Sequence, residues 1–335
     1  MSINVAIIGY GYWGRNLVRN FYSTPNANLH TVVDADADRL KSIPKNYPNV
    51  QISTNVDEVL QNTSIDAAVI ATPVFTHYHL AKKALLAGKH VLVEKPMTST
   101  SAEAKELIDL ALAKGRLLMP DHTFLYTGAV QKMKELVSSG FIGNIQYVDS
   151  TRINLGLFQP DVNVLWDLAP HDLSICDYLV QEKPYSVQAT GISHTNNGIE
   201  NIAYLTVNYQ SNLIAHFNCS WTSPVKVRSM LIGGDKKMIF YNDLETTEKV
   251  KVYDTGFDVK TEEEKTKILV DYRVGDIYVP KLDGTEALAN MAKDFVNAII
   301  HKQTPRSNAE LGLIVVQVLE AAQKSIKEKG REVVI

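Results

Sequence analysis

The pattern of apolar and polar positions changes once along the chain, after about one third of its length. Up to residue 121, short apolar runs alternate with stretches whose apolar residues recur every three to four positions. Such runs predict buried parallel strands, and the stretches between them predict amphipathic helices. The predicted strands are 3–8, 29–33, 67–71, 90–93 and 116–120, and the predicted helices are 16–21, 57–61, 77–87 and 101–114. This α/β alternation favours a doubly wound parallel sheet.

From residue 144 to about residue 253 the apolar positions alternate with a period of two. The clearest run is Leu213, Ala215, Phe217, Cys219 and Trp221. A period of two predicts a large, mostly antiparallel sheet with helices on one face. A helical tail over 286–329, interrupted at residues 304–305, closes the chain. We therefore expect a nucleotide-binding α/β domain over residues 1–121 and an α+β domain over residues 122–335 that includes the C-terminal helices.

Composition excludes several classes of protein. The chain has 335 residues, 45% hydrophobic and 21% charged, which is typical of a folded protein with about two domains. A net charge of −3 and the lack of a basic arm argue against a nucleic-acid partner. No apolar run approaches the roughly 18 residues that span a bilayer, so no membrane partner is expected. Two cysteines without ligand spacing predict no metal site, and they suit a reducing cytoplasm.

The turn after the first predicted strand holds three glycines, Gly9, Gly11 and Gly14. In a dinucleotide-binding (Rossmann) turn the first permits the tight bend, the second lets the backbone approach a pyrophosphate, and the third lets the helix pack closely on the strand. The start of the next helix then favours an anion. Three glycines also suit a plain surface turn, but the flanking strand and helix favour a cofactor turn, to which Tyr12 and Trp13 would contribute.

An acid, Asp34, ends the second predicted strand, twenty positions after Gly14. Its carboxylate can accept hydrogen bonds from both adenosine-ribose hydroxyls, and it would repel a 2′-phosphate. Asp36 and Asp38 add negative charge before Arg39 appears. The sequence therefore favours NAD over NADP.

A second candidate cofactor segment, Ala71, Thr72 and Pro73 with His77 just beyond it, follows the third long strand. Ligands of open α/β sheets bind at the carboxyl ends of the strands. Pro73 would stiffen the turn, and His77 is expected to contact the cofactor rather than to act as a catalyst. The alternative is a turn followed by a helix cap.

A charged pair, Glu94 and Lys95, follows an apolar strand and precedes Pro96. A partly desolvated lysine beside a cofactor can carry a proton or donate a hydrogen bond to an oxyanion near neutral pH. Glu94 is expected in the same cofactor-facing segment. The alternative is a surface ion pair at the end of a strand.

A polar and aromatic run over 161–172 opens another predicted helix, with Pro170 expected in its first turn. Asp167 and His171 are four residues apart, so they can share a helix face. The histidine suits removal of a hydroxyl proton, and the carboxylate can orient the ring. Asp167 could equally be a helix cap, and Asp172 a first-turn acid that stabilises the helix dipole.

Four motifs in this order resemble one enzyme family over nearly the whole chain. They are the glycine turn at 9–14, Ala-Thr-Pro at 71–73, Glu-Lys-Pro at 94–96, and Asp167 with His171. The chain resembles the glucose-fructose oxidoreductase, inositol dehydrogenase and MocA (Gfo/Idh/MocA) family. The resemblance implies a Rossmann domain joined to an open-faced sheet that serves as substrate wall and oligomer interface, and hence a homodimer or homotetramer.

The resemblance also implies roles for individual residues. Lys95 would contact the substrate hydroxyl and the nicotinamide, and Asp167 and His171 would lie beside the reacting carbon. His171 would be the leading candidate for proton abstraction.

Residues 154–172 look most like the family branch that acts on nucleotide sugars such as UDP-N-acetylglucosamine. The further candidates for contacts with such a substrate are Arg152, Asn163, Trp166 and Arg273, and for Arg152, Asn163 and Arg273 a structural role explains the residue equally well. We therefore expect hydride transfer from a sugar carbon to NAD⁺, with His171, or Lys95 through a shared network, accepting the hydroxyl proton. The alternatives are a dehydrogenase for free sugars or inositols and a non-catalytic NAD-binding regulator.

Overall fold

The computed structural model describes residues 2–156, 158–159, 161–195, 197–258 and 271–335. Packing divides the chain into two compact units. The first contains Met1–Tyr126 and Thr285–Gln317, and the second contains Thr127–Gly284 and Val318–Ile335. The boundary predicted at 121/122 lies close to the first of these divisions, but it did not anticipate the return of 285–317 to the first unit. As a division between cofactor and substrate binding it stays a prediction.

A parallel sheet, with six strands among the described residues, forms the centre of the first unit. Its strands are β1 (Ile3–Ile8), β2 (Ala27–Val33), β3 (Gln51–Ser53), β4 (Ala67–Ile70), β5 (His90–Glu94) and β6 (Leu118–Asp121). Their order is β3-β2-β1-β4-β5-β6, so the predicted doubly wound sheet is confirmed. The short β3 escaped prediction because two of its three residues are exposed and it has no apolar run.

Helices connect these strands. They are α1 (Tyr12–Ser23), α2 (Ala37–Leu40), α3 (Ile43–Asn46), α4 (Val56–Gln61), α5 (Val74–Leu86) and α6 (Ser101–Lys114). The predicted bounds of α6 are confirmed. They could be predicted because a start signal and a stop signal for this helix are present in the sequence. Thr100 and Glu103 form a reciprocal capping box, and Gly115 ends the helix with φ of 61°.

The second unit contains a sheet with nine strands among the described residues. The strands are β7 (Ile145–Leu155), β8 (Pro184–Ile192), β9 (Ile202–Tyr209), β10 (Ile214–Ser220), β11 (Thr222–Gly234), β12 (Met238–Asn242), β13 (Val250–Asp258), β14 (Asp271–Tyr278) and β15 (Val333–Val334). Their order is β14-β13-β12-β11-β7-β10-β9-β8-β15. Every neighbouring pair is antiparallel except β7 and β10, which confirms the predicted mostly antiparallel sheet.

Two helices of the second unit are α7 (Gly128–Ser138) and α8 (Val164–Val180), and α8 packs against β7, β9 and β10. The period of two follows from this one-sided cover. Leu205 and Val207 on β9 are buried, whereas Tyr204 is half exposed. On the neighbouring strand β10, Phe217 is buried and Ile214 is exposed.

The C-terminal helices are α9 (Ala287–His301) and α10 (Ala309–Lys327). The segment with α9 belongs to the first unit for physical reasons that the sequence does not show. The Phe295 ring meets Phe21 of α1 edge-on, with centroids 6.1 Å apart. Glu286 forms a two-pronged ion pair with Arg19 at 2.6 and 2.8 Å. Among the described residues, no helix has both the length and the apolar character needed to cross a membrane.

Candidate active site

The glycine turn has the steric character of a cofactor turn. Gly9 has φ of 99°, and a Cβ there would lie 2.4 Å from the carbonyl oxygen of Ala71. A Cβ on Gly14 would lie 2.0 Å from the carbonyl oxygen of Gly9, so helix α1 starts in direct contact with the turn. A Cβ on Gly11 would meet only the Arg39 guanidinium, at 4.0 Å. The first and third glycines are required by packing, and the second leaves backbone open to a ligand.

Helix α1 begins without a side-chain cap and without an acid in its first turn. Its first backbone N–H groups therefore have no side-chain acceptor, and they suit a phosphate. Tyr12 and Trp13 open the helix; Tyr12 is 79% exposed, and the two rings pack edge-on at 5.3 Å. Their predicted contact with a cofactor stays a prediction.

Asp34 lies at the end of β2, beside the glycine turn. Its Oδ2 accepts a hydrogen bond from the Tyr10 backbone N–H at 2.7 Å, and its Oδ1 accepts one from the Asp36 N–H at 2.9 Å. The Arg39 guanidinium lies 3.6 Å from Oδ2. A carboxylate has about four acceptor positions, so Asp34 retains capacity for ribose hydroxyls. The turn, the uncapped helix start and this carboxylate together fit a dinucleotide.

His77 connects two loops at the carboxyl ends of β4 and β5. Its Nε2 lies 2.8 Å from the Thr72 carbonyl oxygen, and its Nδ1 lies 2.9 Å from the Pro96 carbonyl oxygen. The ring is buried, and this burial lowers the pKa of His77. Both nitrogens thus face backbone carbonyl oxygens, and the neutral ring donates its single N–H to one of them. This geometry favours a structural role over the predicted cofactor contact: His77 fixes the 71–73 segment relative to the Lys95–Pro96 peptide, which is cis.

Lys95 is half-buried at the carboxyl end of β5, and its backbone N–H donates to Glu94 Oε2 at 3.2 Å. Because Glu94 is buried, the alternative of a surface ion pair is excluded. The positive charge of Lys95 influences the titration of four buried groups, His77, Glu94, Asp121 and His122. Sequence reasoning missed Asp121 and His122. Their position directly after an apolar strand, which also marks Glu94 and Lys95, could have identified them.

The second unit places Asp167 and His171 on α8, as predicted. The helix starts earlier than expected, however, so Pro170 lies in its second turn rather than its first. The reason is Asn163, whose Oδ1 accepts from the N–H groups of Leu165 and Trp166 at 3.1 and 3.2 Å and thereby caps the helix. Asp167 is therefore not the cap.

Trp221 is a further residue that sequence reasoning did not assign to the site. Its indole N–H donates to Asp167 Oδ2 at 3.1 Å, and the side chain is 1% exposed. The alternating run from Leu213 to Trp221 had indicated only that Trp221 faces the core. The hydrogen bond gives the Asp167 carboxylate a defined orientation.

We expect Trp221→Phe to reduce kcat for the activity proposed below while leaving KM nearly unchanged. The variant keeps the buried ring but loses a hydrogen bond to a charged group, which contributes roughly 1.5–3 kcal/mol. Steady-state kinetics and thermal unfolding test this. Trp166→Phe is the matched control, because it removes a buried indole hydrogen bond to Gln323, at 2.7 Å, without touching Asp167. An equal loss of kcat in both variants would contradict a specific role for Trp221.

The structure favours structural roles for three of the predicted substrate residues. The Arg152 guanidinium is 3% exposed and forms a two-pronged ion pair with Asp172, at 2.8 and 2.7 Å. Asn163 caps α8 and donates to Glu200 at 3.0 Å, and Trp166 is buried against Gln323. Asp172 is thus an ion-pair partner rather than a first-turn acid. Arg273 lies opposite Gly256 in the β13–β14 pair, and its side chain lies outside the described residues.

Comparison with family models identifies both parts of the chain. Residues 3–122 match the oxidoreductase family with an NAD-binding Rossmann fold, and residues 130–240 match the GFO/IDH/MocA C-terminal domain. The chain belongs to the Gfo/Idh/MocA family. The resemblance inferred from the four motifs is confirmed.

Relatives within this family differ in their names. The uncharacterized oxidoreductase YdgJ of Escherichia coli is 33% identical over 51% of this chain and 51% of its own length. UDP-N-acetylglucosamine 3-dehydrogenase of Acidithiobacillus ferrooxidans is 30% identical over 62% of this chain and 64% of its own. The NADP⁺-dependent scyllo-inositol 2-dehydrogenase IolW of Bacillus subtilis is 23% identical over 98% of this chain and 95% of its own.

The chain spans about half the length of curated relatives such as YdgJ. A solved structure covers more of it. UDP-N-acetylglucosamine 3-dehydrogenase GnnA of Acidithiobacillus ferrooxidans superposes with a TM-score of 0.83 over 98% of this chain and 99% of GnnA, at 23% identity. This likeness establishes the shared fold.

Proposed function

We propose that the protein is an NAD-dependent dehydrogenase that oxidises a hydroxyl-bearing carbon of a sugar. The substrate that we propose is a nucleotide sugar. The observation that carries the proposal is the position of Lys95. A half-buried lysine lies at the carboxyl end of β5, in a family of NAD-binding oxidoreductases, among four buried titratable groups. A protein that only binds a nucleotide has no need of such a cluster.

The residues proposed to hold the cofactor are Gly9, Gly11, Tyr12, Trp13, Gly14, Asp34, Ala71, Thr72, Pro73, Glu94 and Lys95. NAD is favoured over NADP because Asp34 would repel a 2′-phosphate. When bound, the nicotinamide supplies the hydride acceptor. The nearby Arg39 does not reverse this preference, since its guanidinium also lies 3.4 Å from Asp36.

The protein's own contribution is to bind the alcohol and to move its proton. In this proposal Lys95 donates a hydrogen bond to the reacting oxygen and stabilises the negative charge that develops there. His171 accepts the hydroxyl proton, and Asp167, oriented by Trp221, stabilises the charged imidazole.

The nucleotide-sugar assignment is supported by the resemblance of residues 154–172 and by the relative that acts on UDP-N-acetylglucosamine. A second candidate, an inositol or free sugar, is supported by the relative named for scyllo-inositol, which matches nearly the whole chain. The two candidates differ in whether the site must accommodate a diphosphate.

A panel of substrates tests the proposal. Formation of reduced nicotinamide, followed by its absorbance, is measured with UDP-sugars, inositols and free hexoses, each with NAD⁺ and with NADP⁺. We expect the highest kcat/KM with a UDP-N-acetylhexosamine and NAD⁺. A preference for inositols would select the second candidate. Tight NAD⁺ binding by calorimetry without turnover of any alcohol would refute the enzymatic proposal and favour a non-catalytic regulator.

We also propose that the protein forms a homodimer or homotetramer, and that the sheet of the second unit is the contact surface between the copies. The outer face of β9 and β10 carries the exposed side chains of Tyr204 and Ile214 and the partly exposed His216, with the Tyr204 and His216 rings stacked at 6.4 Å. An apolar patch of this kind suits a partner. A cytoplasmic location is supported by the two free, buried cysteines, Cys176 and Cys219.

A further inference from the structure

Glu94 and Asp121 are the last residues of neighbouring parallel strands. They are direct partners in the register of β5 and β6. Partners in a sheet point to the same face, and their Cα atoms lie about 5 Å apart. Lys95 follows the first acid and His122 follows the second. The charge of Lys95 acts on Glu94, Asp121 and His122, so two carboxyl groups, one amine and one imidazole lie near one another at this edge of the sheet within the first unit.

Within the described residues, the two carboxyl groups accept few hydrogen bonds from the protein. Asp121 and His122 are each 1% exposed. Thr123 Oγ1 donates to Asp121 Oδ1 at 2.6 Å. Among the described residues, Asp121 Oδ2 and both ring nitrogens of His122 are buried without a hydrogen-bond partner. A buried polar atom left unpaired lowers the stability of the fold, so the arrangement needs a reason.

The two acids cannot both be ionised at low cost. Burial, and then the charge of Asp121, raise the pKa of Glu94 well above its usual value. Burial raises the pKa of Asp121 to about 6, although the Thr123 hydrogen bond and the charge of Lys95 oppose this. Both pKa values are shifted upward, and the pair is therefore more stable with one shared proton than with two negative charges.

The other titratable groups around the pair do not compete for a proton. Burial, and then the charge of Lys95, lower the pKa of His122 to about 3, so the ring is neutral. Tyr126 feels the charge of Asp121, but burial, as the main cause, raises the pKa of this phenol well above its usual value. Lys95 is the remaining charged neighbour.

We propose that Asp121, paired with Glu94 across the β5–β6 register, accepts a proton from Lys95 during the reaction. This inference rests on the proposed dehydrogenase function and adds a second path for the hydroxyl proton, through Lys95 rather than His171. The Lys95 ammonium first gives a proton to the ionised Asp121 carboxylate, and the neutral amine that results then takes the proton of the alcohol oxygen and becomes an ammonium again. The same carbon loses a hydride to the oxidised nicotinamide and becomes a carbonyl carbon. Asp121 acts through Lys95 and is a positioning residue, not a group that touches the alcohol.

Asp121→Asn tests this path. The amide keeps the shape of the side chain and can still accept from Thr123, but it carries no charge and accepts no proton. We expect kcat to fall by about 10²-fold, in the range of general acid–base effects, with KM values for alcohol and NAD⁺ nearly unchanged. The wild-type kcat should fall as pH decreases through about 6, where Asp121 becomes protonated. This fall is the acidic limb of the pH profile, and the Asp121→Asn variant should lack it.

Asp109→Asn, an exposed acid on α6, is the matched control and should keep both the rate and the limb. Thr123→Val is a second variant in case Asp121→Asn does not fold. It removes a hydrogen bond that favours ionised Asp121, so the acidic limb should move to higher pH. An unchanged limb in Thr123→Val, or a wild-type rate and limb in Asp121→Asn, would overturn the proposal.

An infrared titration gives a result that is independent of turnover. We expect a carboxylic-acid carbonyl band that persists above pH 7 and disappears in Glu94→Gln, and a second band that appears near pH 6 and disappears in Asp121→Asn. Two ionised carboxylates at pH 7 would overturn the proposal. A wild-type protein that oxidises no alcohol would instead refute the dehydrogenase function and the transfer step, while the bands would still report whether the pair holds one proton.

Discussion

Lys95→Met is expected to reduce kcat for alcohol oxidation by about 10²–10⁴-fold. The methionine keeps most of the length and apolar stem of the lysine but can neither donate to a developing oxyanion nor carry a proton. The glycine turn and Asp34 are untouched, so the affinity for NAD⁺ should remain nearly the same. Steady-state kinetics and isothermal calorimetry measure the two quantities separately.

Lys105→Met on the exposed face of α6 is the control for the loss of one positive charge. It should change neither quantity. Turnover of Lys95→Met at the wild-type rate would refute the role of Lys95, and a large loss of NAD⁺ affinity would mean that the lysine is mainly a binding residue.

Asp172→Asn is expected to lower the free energy of unfolding by about 3–5 kcal/mol, because it leaves the buried Arg152 guanidinium without a counter-charge. The ion pair has N–O distances of 2.8 and 2.7 Å, and both side chains are buried. For a unit of this size the loss corresponds to a decrease in Tm of roughly 10 °C. Thermal unfolding monitored by circular dichroism provides the measurement.

The double variant Arg152→Met with Asp172→Leu removes both charges and should regain most of the lost stability, since apolar replacements of a whole buried pair are often neutral. This non-additivity separates an ion pair from two independent polar contacts. If the folded double variant instead shows a large increase in KM for the substrate, then Arg152 contacts the substrate as the sequence had suggested, and the structural role is wrong.

Local signals explain which parts of the fold could be predicted. The parallel strands of the first unit are continuous apolar runs, and α6 has its cap and its stop in the sequence. The sheet of the second unit has one buried face and one exposed face, so apolar and polar residues alternate along its strands with a period of two. Pro170 was misplaced because a proline is tolerated both at a helix start and, at a cost, inside one, and only the Asn163 cap distinguishes the two.

The site was predictable only in part, because its contacts depend on residues that are distant in the sequence. The sequence proposes Lys95, Asp167 and His171 by residue type and spacing, and their roles stay predictions. For Arg152 and Asn163 the sequence left a substrate contact and a structural role equally open, and the structure shows hydrogen bonds to Asp172 and to the start of α8. Residue type states what a side chain can donate or accept, but not which partner it meets.

The sequence by itself determined the two sheet types, the cofactor turn and the family, because each depends on neighbouring residues or on a fixed spacing. The tertiary structure alone decided which polar side chains are buried together. Asp121 meets Glu94 across two strands, Trp221 meets Asp167, and α9 returns to the first unit. The residues in these contacts are separated by between 27 and more than 200 positions in the sequence. A local pattern of apolar and polar residues carries no information about contacts at such separations.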